Sequence, residues 1–167
     1  MTAPRDILAH PLTHEAFAPF GDVIDKRGEE PRPMNGGKAR RFHRLAEAQA
    51  DGSVIVSIAE AAPYLFPLEL GIVERHPKGS QAFVPLSPAP FLVVVCPDEN
   101  GRPGAPLAFV TAPGQGVNYR RNVWHGVLTP IEEVQDFLMV DRAGEGTNLE
   151  EFHFNEPWTV HLPGMTG

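Results

Sequence analysis

Glu74, His76 and Gln81 lie within the stretch ERHPKGSQAFVP, and Asn118, Tyr119, Arg121 and His125 lie within GVNYRRNVWH. Each stretch sets a histidine and several polar groups into an otherwise apolar, strand-like context. Glu74 and His76 are two residues apart, so on a strand they share a face. The turn Pro77-Lys78-Gly79 then brings Gln81 back beside them. Glu74, His76, Gln81 and His125 together form a candidate ligand set of two imidazoles, a carboxylate and an amide. Such a set suits nickel, manganese or another divalent ion. The alternative is that both histidines only satisfy hydrogen bonds inside the fold and no metal binds. In the second stretch, Asn and Arg donors can fix a carboxylate, Arg in bidentate fashion, and Trp124 offers a packing wall. The plainer reading there is a solvated basic turn followed by a core tryptophan.

Polar groups facing an apolar interior cost free energy unless something uses them, so the elements that carry them matter. Short apolar runs recur along the chain at Asp22–Ile24, Arg40–Leu45, Val54–Ala59, Leu68–His76, Gln81–Leu86, Phe91–Cys96, Leu107–Thr111, Gly116–Tyr119, Trp124–Leu128 and Val134–Asp141. Pro and Gly punctuate them; the chain holds 18 prolines and 16 glycines, which disfavours a helical bundle. The spacing predicts an all-β protein, a barrel or sandwich with a few short helices. Ile7–His10 reads as a short strand, and Thr13 as the N-cap of a short helix over His14–Phe17. Lys26–Lys38 reads as a mobile loop. Val54, Val56 and Ile58 give one strand a very apolar face. The tail, with Phe152, Phe154 and Trp158, is expected to dock on the barrel or on a partner subunit.

A chain of 167 residues is expected to be one domain. The net charge of −7 argues against an electrostatic nucleic-acid binder. There is no run of about 18 apolar residues to span a membrane. The opening MTAPRDILAHPL lacks the apolar stretch of a secretory signal. Cys96, the one cysteine, lies in FLVVVC and reads as a buried, inert thiol. These features point to a cytoplasmic protein. Asp141 and Arg142 read as a surface ion pair of little worth, Arg75 as structural or at an interface, and His10, His14, His43, His153 and His161 as surface or interface groups. No Ser-His-Asp order, phosphate loop or CxxC pair is present.

ERHPKGSQAFVP, FLVVV, GVNYRRNVWH and DFLMVDR, in that order, resemble the ureidoglycolate lyase family, and the likeness runs loosely from LTHEAFAPFGDVI onward. The resemblance implies a cupin-like β-barrel, a homodimer, an association with nickel, and the cleavage of (S)-ureidoglycolate to glyoxylate and urea in allantoin and purine catabolism. Where the family often reads NYHRNVWHHPL, this chain has Arg120, Gly126 and Val127, and these are read as lying outside the reacting centre. Collapse of the substrate needs a base for its hydroxyl and an acid for the leaving urea, but no covalent nucleophile. The resemblance makes His125 and Glu74 the proton carriers, with His76 orienting substrate or holding a metal. Asn118, Tyr119 and Arg121 would bind the substrate carboxylate, and Gln81 would read the urea carbonyl or act as a ligand. Two rival readings are an amidohydrolase releasing ammonia and a non-catalytic cupin that binds a small carboxylate.

Overall fold

The computed structural model describes residues 4–26 and 30–164. The first third holds β1 (Asp6–Leu8), β2 (His10–Pro11), α1 (His14–Phe17), β3 (Gly21–Ile24), β4 (Arg32–Met34), β5 (Ala39–Arg41) and β6 (Ser53–Ala61). Next come β7 (Leu68–Arg75), β8 (Gln81–Pro85), β9 (Phe91–Cys96), β10 (Asp98–Glu99), β11 (Arg102–Pro103) and β12 (Leu107–Val110). β13 (Gly116–Tyr119), β14 (Trp124–His125), β15 (Thr129–Pro130), β16 (Gln135–Ala143) and β17 (Glu150–His161) complete the order. The strands form two main sheets. The larger runs β1-β17-β7-β14-β9-β12-β2, with β15 also on β9, and the smaller runs β3-β13-β8-β16-β6. They curl into a nearly closed barrel, the all-β architecture expected from the spacing of the apolar runs.

Alternation along the strands explains the core. On β9, Phe91, Val93 and Val95 pack between the sheets with Phe83, Val117, Tyr119 and Phe137 of the smaller sheet. Leu92, Val94 and Cys96 point the other way, into a second cluster with Val73, Trp124 and Val160. Both faces of β9 are covered, and for that reason its sequence is unbroken apolar where a half-buried strand would alternate. Burial also pushes the Cys96 thiol up to about 12, so it stays protonated. The tail docks on its own barrel. β17 pairs with β7 and β1, and Phe152, Phe154 and Trp158 form an edge-to-face ladder that begins on Trp124.

The helix forms as the cap predicts, with Ala16 N–H donating to Thr13 Oγ1 at 3.1 Å. Three expectations change. Within the supposed loop, β4 and β5 pair as a ribbon, because Asn35, Gly36 and Gly37 take the left-handed conformation that a tight reversal needs; Arg27–Glu29 lie outside the described residues. The strand expected over Arg40–Leu45 stops at Arg41, and Arg44, also left-handed, turns the chain away. The strand expected over Trp124–Leu128 holds only Trp124 and His125. The apolar face of β6 points outward: Val56 is 66% and Ile58 60% exposed, while the smaller Ala59 and Ala61 pack on the core.

Candidate functional site

Both motifs are crossings from one sheet to the other at the same end of the barrel. Residues 76–80 carry the chain from β7 in the larger sheet to β8 in the smaller, and residues 120–123 carry it from β13 back to β14. The crossings are stitched together, Asn122 N–H donating to the His76 carbonyl at 2.9 Å. Asn122 sits at a φ of 66°, a conformation Asn tolerates, and this lets four residues reverse between the sheets. A crossing puts its two flanking residues on facing walls. Tyr119 and His125 therefore stack, their ring centroids 4.1 Å apart and their planes 7° from parallel. Phe17 and Phe83 box the tyrosine edge-on.

Register sets the inward face. His125 is opposite Glu74 on β7 and Val95 on β9, so all three face the interior. Gln81 is opposite Tyr119 and faces inward with it. His76 lies one residue past the end of β7, in the turn rather than on the strand. Its ring nevertheless approaches that of His125 to 5.1 Å, and its Nε2 lies 3.7 Å from Glu74 Oε1. Ligand atoms of Glu74, His76 and His125 all fall within 4.8 Å of one another.

The hydrogen bonds fix which nitrogens are free. His125 Nδ1 is 2.8 Å from the Gly126 carbonyl, and His76 Nδ1 is 2.8 Å from the Asn148 carbonyl. A carbonyl only accepts, so each Nδ1 carries a proton, and in the neutral ring Nε2 keeps the lone pair. Among the described residues neither buried Nε2 has a partner within hydrogen-bond distance, Glu74 Oε1 lying 3.7 Å from that of His76, which is costly unless a ligand meets them. His125 is 1% exposed, and burial pushes its pKa down to about 4, against the Gly126 carbonyl and Glu74, so it is neutral at pH 7. Burial works in the same direction on His76, but Glu74, the Asn148 carbonyl and Gln81 outweigh it and hold its pKa above the usual value. Glu74 is held below its usual range, first by the His76 imidazole beside it, and is ionised. Burial, then the Glu74 charge, pushes the Tyr119 phenol up.

Glu74, His76, Gln81, Tyr119 and His125 are thus gathered at one place, while Asn118 and Arg121 are not. Asn118 was expected to share Tyr119's carboxylate site. It is the next residue on β13 and so faces outward, where its Nδ2 donates to Asp22 Oδ2 at 3.2 Å. Arg121 sits on the rim, its guanidinium 2.9 Å from Asp51. The Asp141–Arg142 pair does not form. Adjacent strand residues face opposite ways, and Arg142 instead donates to the carbonyls of Asp51 and Glu145. Arg75 is structural as expected: it lies over the Trp124 ring at 4.3 Å and bonds Glu150 and Asp98. At two of the departures from the family pattern the side-chain position points away from the cluster, although the Gly126 main-chain carbonyl holds His125. Arg120 is exposed and donates to Ala18 and Pro19 carbonyls, and a side chain on Gly126 would press on Val94 of the outer cluster. Sequence reasoning missed the backbone acceptors at Gly126 and Asn148, since every residue type offers a carbonyl. The one available signal was an Asn in the Gly-rich segment GEGTN, a composition that favours turns.

The fold and site define a cupin-like β-barrel with two histidines and a carboxylate converging inside one end. Residues 4–161 match the family model described as ureidoglycolate lyase. A ureidoglycolate lyase of Chelativorans sp. (strain BNC1) is 64% identical over 95% of this chain and 98% of its own length. One from Mesorhizobium japonicum is 63% identical over 94% and 98%, and ureidoglycolate lyase 2 of Rhizobium meliloti 53% over 90% and 94%. The chain belongs to the ureidoglycolate lyase family. Among solved structures, a dTDP sugar isomerase from Desulfovibrio desulfuricans G20 aligns over 82% of this chain and 83% of that one, with a TM-score of 0.42 and 16% identity, too loosely to carry an argument.

Proposed function

We propose that this protein is a ureidoglycolate lyase that splits (S)-ureidoglycolate into glyoxylate and urea, a step of allantoin and purine catabolism. The observation that carries the reading is the convergence of Glu74, His76 and His125 in a chain that is 64% identical, over 95% of its length, to a protein of that name.

The site fits a divalent metal. Two orphaned imidazole lone pairs and an ionised carboxylate are a hard-to-borderline donor set, and nickel, which the resemblance implies, is suited to it. Glu74, His76 and His125 would hold the ion, with Gln81 beside His76 as the candidate fourth ligand. A bound cation would lower the pKa of the substrate hydroxyl. The Glu74 carboxylate is the proton carrier. It takes the hydroxyl proton, the C–O⁻ electron pair closes to a carbonyl, the C–N bond breaks, and the nitrogen collects the proton from Glu74 as urea leaves. Tyr119, protonated and clamped against His125, orients substrate by its hydroxyl. Arg121 reaches the substrate carboxylate only by leaving Asp51.

The outer face of β6 supports a homodimer. Val54, Val56 and Ile58 form an exposed apolar stripe on a strand whose far edge has no partner among the described residues, and such a face is commonly covered by association. A second copy burying it would remove both liabilities, and light scattering at micromolar concentration tests this: a monomer would refute it. Among the described residues no helix is long and apolar enough to cross a membrane. That finding and the buried thiol are compatible with a cytoplasmic location.

A coupled glyoxylate assay on purified protein, before and after chelation, tests the function. Equal amounts of glyoxylate and urea, lost on chelation and restored by Ni²⁺, are expected. Stoichiometric ammonia would replace this reading with hydrolysis at the urea carbonyl, and binding without turnover would replace it with a carboxylate sensor.

A further inference from the structure

A third sheet-to-sheet crossing, residues 144–149 between β16 and β17, meets the other two at the same end of the barrel. It touches the 76–80 turn through one residue twice. The Asn148 carbonyl accepts from His76 Nδ1–H at 2.8 Å, and the Asn148 side-chain oxygen accepts from the Lys78 backbone N–H at 2.7 Å. The two bonds close a ring: His76 imidazole, Asn148 backbone, Asn148 side chain, Lys78 backbone, Pro77, and back to His76. Lys78 also lies over Gly146. The turn's main chain has other anchors, since Asn122 N–H donates to the His76 carbonyl and Asp51 N–H to that of Lys78. None of those acts on the imidazole.

We infer that Asn148 is a positioning residue, whose paired hydrogen bonds to His76 and Lys78 hold the His76 ring as the Nδ1–H tautomer with Nε2 aimed at Glu74 and His125. The inference deepens the proposed function and rests on it only where metal is concerned. His76 stands outside any strand and lacks the stacked tyrosine that holds His125; Glu74 and Gln81 also act on its ring, and this clamp is what holds Nδ1. The side chain contributes by fixing where the carbonyl sits. An acceptor at the same place, as in Asp, does the same; Ala does not. Partners that orient a ligand histidine are worth about 10–100-fold in metal affinity.

The test uses full-length wild type, Asn148→Ala and Asn148→Asp, stripped of metal. Nitrogen-15 NMR at a pH where His76 is neutral reads its tautomer, and calorimetry with Ni²⁺ alone reads affinity. Expected are a pure Nδ1–H tautomer in wild type and Asn148→Asp, a mixture in Asn148→Ala, and Ni²⁺ affinity weakened about 10–100-fold in the Ala variant only. Thermal midpoints of the stripped proteins separate loss of folding from loss of aim. A purely structural clamp would lower the Ala variant's midpoint and leave tautomer and affinity unchanged, which overturns the inference. An unmixed tautomer in Asn148→Ala, or an Asp variant as impaired as Ala, also overturns it. If wild type shows no saturable Ni²⁺ binding, the metal reading fails by itself and the tautomer decides the inference.

Discussion

The two crossings that build the site hold their histidines by different means. His125 is on a strand, walled by Val95 and stacked on Tyr119, so the core that folds the protein also aims the ring. His76 is on a turn, partly open to solvent, and its ring is set by a carbonyl from a distant loop. The same side-chain type is thus fixed once by packing, with a bond to its own neighbour Gly126, and once by a bond to a distant loop. Packing faults should appear as lost stability, and hydrogen-bond faults as lost function in a folded protein.

Changing Glu74, which serves both crossings, should have the largest effect. Glu74→Gln removes the charge and the proton carrier while keeping the shape, and kcat is expected to fall by about 10²–10⁴-fold with little change in melting temperature. Steady-state kinetics with a thermal scan check this, and kcat within threefold of wild type would sink the role.

The sharpest contrast comes from the two alanine variants. His125→Ala and His76→Ala should each lower turnover at least about tenfold. In stability they should diverge. His125→Ala empties a core site and is expected to cost about 2–5 kcal/mol, whereas His76→Ala should cost about 1 kcal/mol. Denaturant unfolding measures the difference, and equal losses would erase the distinction between the crossings.

A pH experiment separates them further, because their shifts have opposite signs. His125 has its pKa depressed from 6.5 to about 4. As pH falls, the unfolded chain takes up this proton first, so its contribution to stability is intact above 6.5 and drains away toward 4. His76 has a raised pKa, so its contribution is present below the ordinary value and is lost as pH rises through the folded one. In the metal-free protein, acid destabilisation between 6.5 and 4 should be blunted in His125→Ala and not in His76→Ala. Unfolding midpoints across that window decide it.

The smallest effect belongs to the rim. Arg121 is tied to Asp51, and Arg121→Ala should raise KM about threefold with kcat nearly unchanged, a half-exposed pair being worth about 0.2–1 kcal/mol. A collapse of kcat would move Arg121 into the reacting centre.

Much of this arrangement was legible in the sequence, for identifiable reasons. Glu74, Gln81, Tyr119 and His125 flank crossings, so strand alternation and turn residues betray their faces. The same rule, followed through, separates Asn118 from Tyr119; grouping them by nearness in sequence hid that. The direction of β6's apolar face was not legible, because alternation says that two faces differ and not which one meets the barrel. The β4–β5 ribbon was hidden in a charged, Gly-rich segment whose composition reads as loop. Asn148 was hidden because its part is played largely by a carbonyl.

One further consequence concerns how the chain reaches this state. β1 lies parallel to β17, with Asp6 opposite Thr159 and Leu8 opposite His161. The first strand therefore finds its partner only after nearly the whole described chain exists. β17 in turn completes β7, the strand that bears Glu74. A nascent chain emerging from the ribosome holds both motifs long before the larger sheet can close, and for that interval the β7 edge is bare. Loop closure over such a separation is slow, and refolding from denaturant should run on the milliseconds-to-seconds scale of non-local β topologies. Catalytic competence is then expected to return with the last, slowest phase.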